Sequence, residues 1–294
     1  MRDAARPAPA ASERSGPVSA FADYSIRRHG LLTLGAVIVA AVVLSAIFAP
    51  WIAPYSPYDL DVTVMLEGPS RAHWLGTDEI GRDVLSRTIF AAQISVKVAL
   101  FAVAVGLIGG TIIGMLAAYC GGPVDTVLMR LMELLFSFPA ILLAVVLMAS
   151  LGTNVLNAML AIGIIFIPGF ARLARASTLS ALQQQYVEAA RSIGMSHARI
   201  ILRELLPNVV TPLLVEAAVA FAYAVLLESA LSFLGLGAQP PEPSWGNMLN
   251  TGRGFMAQAP WLSIVPGLAL FLCVLGFNLL GDGLRDVLDP HLRD

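Results

Sequence analysis

The sequence predicts an all-α, polytopic membrane protein with six transmembrane helices, and three observations carry that prediction. Of the 294 residues, 57% are hydrophobic and only 13% charged, and the mean hydropathy of +0.77 lies outside the range of an ordinary soluble domain. Apolar runs that approach or reach the roughly 20 residues needed to cross a bilayer occur at Leu31–Ala49, Val98–Tyr119, Leu134–Leu151, Val155–Ala171, Val209–Leu227 and Trp261–Leu280. Runs of this length exclude the short alternating strands of a barrel, so the backbone must close its hydrogen bonds within helices.

Residues 1–30 read as a disordered cytoplasmic N-terminal tail. Met1 to Gly16 is rich in Ala, Pro, Ser and Arg, and its Asp3 and Glu13 argue against an acid-poor transit peptide. Arg27-Arg28-His29 precedes an apolar run too long for a signal peptide, so residues 31–53 form a first, uncleaved span. Residues 54–92 form an external loop in which Pro54, Pro57 and Pro69 break any long helix. Its second half places Thr77 or Asp78 as the N-cap of a helix from Val84 to Phe90 that runs into the second span.

The five remaining helices occupy residues 93–282. Gly106, Gly109, Gly110 and Gly114 in the second span form a close-approach surface of the kind membrane helices pack on. Gly121-Gly122-Pro123 and Gly152-Thr153-Asn154 are turns that set neighbouring spans antiparallel. Pro139, Pro168, Pro212 and Pro266 kink spans or mark their edges. After Leu227 comes a Gly- and Pro-dense outer loop whose Trp245 and Trp261 suit the headgroup level. Residues 283–294 form a cytoplasmic C-terminal tail. Most arginines, among them Arg27, Arg28, Arg172, Arg175, Arg191, Arg199, Arg203 and Arg285, fall on one side if both termini are cytoplasmic, as the positive-inside rule requires.

Several function classes are excluded by the residues. The net charge of -2 carries no nucleic-acid signature. Cys120 and Cys273 lack metal-ligand spacing and read as small apolar fillers, and His29, His73, His197 and His291 have no second ligand at i+3 or i+4. No HExxH or GxSxG constellation points to an intramembrane enzyme. The lone lysine, Lys97, is not part of a GxxxxGK[ST] phosphate loop, so any nucleotide site lies on another polypeptide and this chain binds no cofactor.

The polar insert 172–207 is the most informative segment. Gln183 to Ala190 reads as a helix, Gly194 as its stop, and Ser196 as the cap of a second helix with an apolar stripe of Ala198, Ile201, Leu202 and Leu205. Glu188 offers a carboxylate, Ala189 and Ala190 allow close approach, and Arg199 lies on the polar face. Taken alone, such a basic amphipathic loop fits a surface of anionic lipid as well as a protein partner. Three acids lie near membrane depth. Glu133 and Glu228 sit close enough to the span ends to reach water or a helix-end partner. Glu216, midway along the fifth span, would face a pathway or a neighbouring subunit, or simply be paired.

The spacing Glu188-Ala189-Ala190, Gly194, Leu206-Pro207-Asn208 resembles the EAA loop of ABC-importer permeases. The runs LGTDEIGRDVLSR, ESALSFLGLGAQPPEPSWGNML and NLLGDGLRDVLDP are similar to the DppC/OppC-like permeases of dipeptide, oligopeptide and nickel importers, over about Leu31 to Pro290. The resemblance implies a type I ABC-importer permease (MetI-like) core in the bacterial inner membrane. It implies a second homologous permease, two P-loop ATPase subunits that hold ATP and Mg, and an external solute-binding protein. It makes the insert a coupling helix that docks on an ATPase through Glu188, Ala189, Ala190, Gly194, Ser196 and Arg199, with Glu204 at a position where the pattern often has His. It leaves Glu216 and Glu228 as candidates for the pathway or a subunit interface. Peptides are the expected solutes, with nickel, glutathione or sugar-derived solutes open, and a secondary transporter or channel is the alternative class.

Overall fold

The computed structural model describes residues 17–288, with side chains over 30–287. Of the tails expected at residues 1–30 and 283–294, residues 1–16 and 289–294 lie outside that range. Helix α1 covers Pro17–Ile47, so helix begins inside the stretch read as tail, and α2 is the single turn Ala49–Ile52. The long spans are α3 (Val84–Cys120), α6 (Val155–Leu182), α9 (Leu206–Phe233) and α11 (Trp261–Leu288). Shorter helices are α4 (Gly122–Phe136), α5 (Ala140–Leu151), α7 (Gln185–Ser192), α8 (His197–Arg199) and α10 (Trp245–Gly252). Among the described residues, five stretches are long and apolar enough to span a membrane, and α4 with α5 makes a sixth only as a broken pair.

That pair corrects the third expected span. Leu134–Leu151 is not one helix. The chain bends by 92° between α4 and α5, where Pro139 stands as the N-cap of α5 and cannot extend the preceding helix.

The frame of the molecule is α3 laid against α6. A Cβ on Gly106 would come 2.5 Å from Cβ of Phe166, and those on Gly110 and Gly114 would strike the side chain of Phe170 and the backbone of Ala171. Backbone contact this close is open only to glycine, and it supplies dispersion energy between helices that gain little from burial in lipid. Helix α1 uses the same device on α11, where Gly35 and Gly276 admit Leu280 and Ile38. Helix α9 crosses both units, and Phe221 stacks on Phe277 of α11 with centroids 4.0 Å apart.

The segment between α2 and α3 is folded. Asp61 caps a short 3-10 turn, Val62–Val64, and the Thr63 hydroxyl and amide hold its carboxyl below the usual carboxylate range. The cap of α3 is Asp83, whose carboxylate accepts from the Ser86 amide at 2.8 Å. Thr77 and Asp78 cannot serve there because they are used one turn earlier. Asp78 accepts from the Ile80 and Arg82 amides, and Thr77 bridges to Asp83 across Gly81, which has φ +82°. Trp245 is 2% exposed, so its ring faces protein and not headgroups. Its indole donates to the Thr88 carbonyl at 3.1 Å, and that of Trp261 donates to Thr77 at 3.1 Å, pinning the outer loops to α3.

The glycine seam sets a test. Gly114→Val should lower the detergent-solubilised melting temperature, since overpacking typically costs about 1–3 kcal/mol. Gly109→Ala, whose Cβ would meet only the Ile167 side chain at 3.4 Å, should leave it nearly unchanged. Equal melting of both variants and the wild type would remove the seam from the account.

Candidate functional site

The insert is shorter than expected because α6 continues to Leu182, so residues 172–182 are helix. The bend itself is built by α7. Its end is a Schellman motif: the Met195 amide donates to Ala190 at 3.1 Å and the Gly194 amide to Arg191 at 3.0 Å. Gly194 has φ +75°, a left-handed conformation that strains any residue with a Cβ. Ser196 holds the N-cap position of α8 without a side-chain bond.

Glu188, Ala189, Gly194, Ser196 and Arg199 are exposed on one end of the molecule. Ala190 is not; it is 5% exposed and, with Val187 at 0%, packs inward. Ile193, which the sequence reading passed over, is 76% exposed at the tip of the bend. Its position beside Gly194 was the available signal, since a loop-tip isoleucine has no core to enter.

The apolar stripe is also shifted. Ala198 and Leu202 point outward, and Ile200, Leu205 and Val209 are the buried residues. The reason is a π-helical stretch, Ile200–Leu205, which opens the repeat from i+4 toward i+5 and rotates the following face. Tyr119, at the end of α3, hydrogen-bonds the His197 ring through its hydroxyl at 2.6 Å and ties the insert to the α3–α6 frame.

At the same end, Arg175 of α6 meets Asp125 of α4 in a bidentate pair, both contacts 2.6 Å. Arg172 lies 3.7 Å over the Phe136 ring. Glu133 is exposed and pairs with Arg130 at 2.8 Å, which is the local partner expected of it.

The break between α4 and α5 opens a cavity of about 430 Å³ walled by Phe136, Phe138, Phe166, Phe170 and Tyr223, with Glu216 its one acid. Such a chamber, apolar with a single charged group, can hold a small solute and fix its orientation. Glu216 is exposed. The aromatic walls come from three separate helices and the 137–139 break, and no sequence motif joins them.

Glu228 occupies a different setting. It is 1% exposed, in the last turns of α9 before Phe233, and is met there by hydroxyls instead of water. Ser95 of α3 donates to its carboxylate at 3.0 Å, Ser232 at 2.8 Å and Ser229 at 3.4 Å. Ser232 Oγ in turn accepts from the Ala238 amide at 3.1 Å. Burial among its own subunit's hydroxyls removes Glu228 from both the cavity wall and the outer surface.

Comparison with known proteins follows the same lines. Residues 110–294 match the family described as binding-protein-dependent transport system inner membrane component, and residues 24–69 the N-terminal TM domain of oligopeptide transport permease C. The dipeptide transport system permease protein DppC of Alkalihalophilus pseudofirmus is 42% identical over 91% of this chain and 88% of its own. The glutathione transport system permease protein GsiD of Escherichia coli is 46% identical over the same shares. Among solved structures, the MetNI methionine ABC transporter in inward-facing conformations matches with TM-score 0.59 at 16% identity, over 70% of this chain and 97% of that one. An amino acid ABC transporter with histidines matches at TM-score 0.53 and 19% identity, over 67% and 92%. The fold is the expected type I ABC-importer permease core.

The hydroxyl nest around Glu228 is expected to hold the loop that follows α9. Ser232→Ala removes both the donor to Glu228 and the acceptor for Ala238, so hydrogen exchange at the Ala238 amide should speed up by about an order of magnitude. Unchanged exchange there would show that the loop is held by other contacts.

Proposed function

The chain belongs to the family of binding-protein-dependent transport system inner membrane components, and on that premise we propose that it is the permease subunit of an ATP-driven importer of short peptides. The observation that carries the coupling half of the reading is the geometry of α7. A rigidly capped helix presents Glu188, Ala189 and Ile193 outward while Val187 and Ala190 anchor it. A partner with a complementary groove gains a carboxylate, a small contact surface and an apolar tip. The peptide half rests on two close relatives that are named for dipeptide and glutathione transport.

In this reading a second permease completes the pathway, and two ATPase subunits bind ATP and Mg below the insert. A solute-binding protein delivers peptide from outside, and both termini lie in the cytoplasm of a bacterium. ATPase closure displaces α7. The displacement reaches α3 through the His197–Tyr119 bond and α9 through the π-helical stretch that joins the insert to it. π-helical turns concentrate where a helix must flex in function.

The test is uptake by the assembled importer in proteoliposomes. Gly194→Ile distorts the cap and Glu188→Lys reverses the docking charge, and each should abolish ATP-driven uptake while the protein stays in the membrane. Normal transport by both refutes docking through α7. Tyr119→Phe should lower the ratio of solute moved to ATP hydrolysed; an unchanged ratio removes that bond from the coupling route.

A further inference from the structure

Two cavities meet at Glu216. The first is the aromatic chamber of about 430 Å³ beside the α4–α5 break. The second, of about 570 Å³, is walled by Leu173, Pro212 and Val215 and also carries Asn208, Thr211, Asp282 and Arg285. Both volumes fall in the range of about 300–1,000 Å³ usual for small-molecule sites. Glu216 and Val219, one helical turn apart on α9, line both.

Glu216 makes no hydrogen bond or ion pair among the described residues, although it stands mid-span on a helix whose other acid, Glu228, is held by three hydroxyls. A bare carboxylate at membrane depth is costly and calls for a cation. The chain does not supply one. Arg172 is stacked on Phe136 and lines a separate pocket with Asp125 and Arg175, and Arg285 lies in the second cavity without an ion pair to Glu216. The walls of the first chamber fit the same occupant, because aromatic faces attract ammonium groups and cover alkyl side chains. The second cavity holds one charge of each sign, Asp282 and Arg285, so Glu216 and the aromatic walls carry the selection for the amine. Glu216 and the aromatic chamber together complement a protonated amine carried on an apolar body.

We propose that Glu216 receives the protonated amine of a short peptide as it passes from the aromatic chamber to the second cavity. This rests on the peptide-importer reading above and adds to it the residue that reads the amine. An alternative cation would come from the neighbouring permease, and the experiment separates the two.

The permease–ATPase complex is purified without the binding protein, whose own selectivity would mask the effect. Titration calorimetry at pH 7 then compares alanyl-alanine with N-acetyl-alanyl-alanine, which lacks the positive amine. Wild type should prefer the free amine. Glu216→Gln should weaken alanyl-alanine binding by about tenfold or more, the value of a charged hydrogen bond, and leave the acetylated peptide unaffected. Glu216→Asp should keep the preference.

Equal weakening of both peptides, or none, overturns the proposal. Loss of the second permease on purification of Glu216→Gln also overturns it, and assigns the carboxylate to the subunit interface. Should that variant give no folded chain, Val219→Arg carries the test. A guanidinium one turn away should occupy Glu216 and abolish the amine preference, and a retained preference is fatal to the idea. If the wild-type complex binds neither peptide while it still hydrolyses ATP, the peptide reading itself fails and this inference falls with it.

Discussion

The rest of the structure depends on the α3–α6 contact. Two helices in lipid gain little by hiding apolar surface from each other, because the surroundings are equally apolar. What holds them is close dispersion contact, which falls off steeply with an added gap of even half an ångström. Gly106, Gly110 and Gly114 bring the α3 backbone onto Phe166, Phe170 and Ala171. With that pair fixed, α9 has a floor to cross, and the Ser95 hydroxyl of α3 is placed to meet Glu228 of α9. The C-terminal end of α6 carries α7, while the C-terminal end of α3 carries Tyr119, so both attachments of the insert trace back to one seam.

Against this stiff frame the chain is irregular in two places. One is the break at residues 137–139 and the other the π-helical Ile200–Leu205 stretch. Non-helical backbone at membrane depth is tolerated where it is buried in protein or lines a cavity, and the break meets that condition, since Phe136, Phe138 and Ala140 wall the aromatic chamber. The π stretch lies between the exposed α7 face and the long α9. In the proposed mechanism these are the positions where motion is absorbed, and the glycine-packed pair is the part that moves as a body.

The sequence showed what depends on local chemistry. Composition and run length gave the class, glycine spacing gave the seam, and Gly194 gave the stop of α7, because each rests on a residue type acting on its own neighbourhood. What it hid depends on register or on partners distant in the chain. Nothing in Ile200–Leu205 announces a π turn, so a 3.6-residue repeat put Leu202 inside and left Ile200 out. Trp245 was placed at the headgroups because its partner, the Thr88 carbonyl, lies 157 residues away. Thr77 and Asp78 were plausible caps until the Thr77–Asp83 bridge committed them to a turn. The chamber was invisible for the same reason, as its walls converge only after the α4–α5 bend.

The two acids of α9 show how one helix separates structural from functional charge. Glu228 lies twelve positions beyond Glu216, about 120° of rotation on a regular helix, so they cannot share a face. Rotation takes Glu228 into the α3 contact, where hydroxyls from two helices replace its water and the carboxylate becomes part of the packing. The same rotation takes Glu216 out to where two chambers join, and no side chain replaces its water. A buried charge that merely holds structure should be surrounded by donors, since an unmet one is heavily penalised. An acid left without donors, at an open junction and on the same scaffold that satisfies its neighbour in full, is therefore better explained by a visiting cation than by packing.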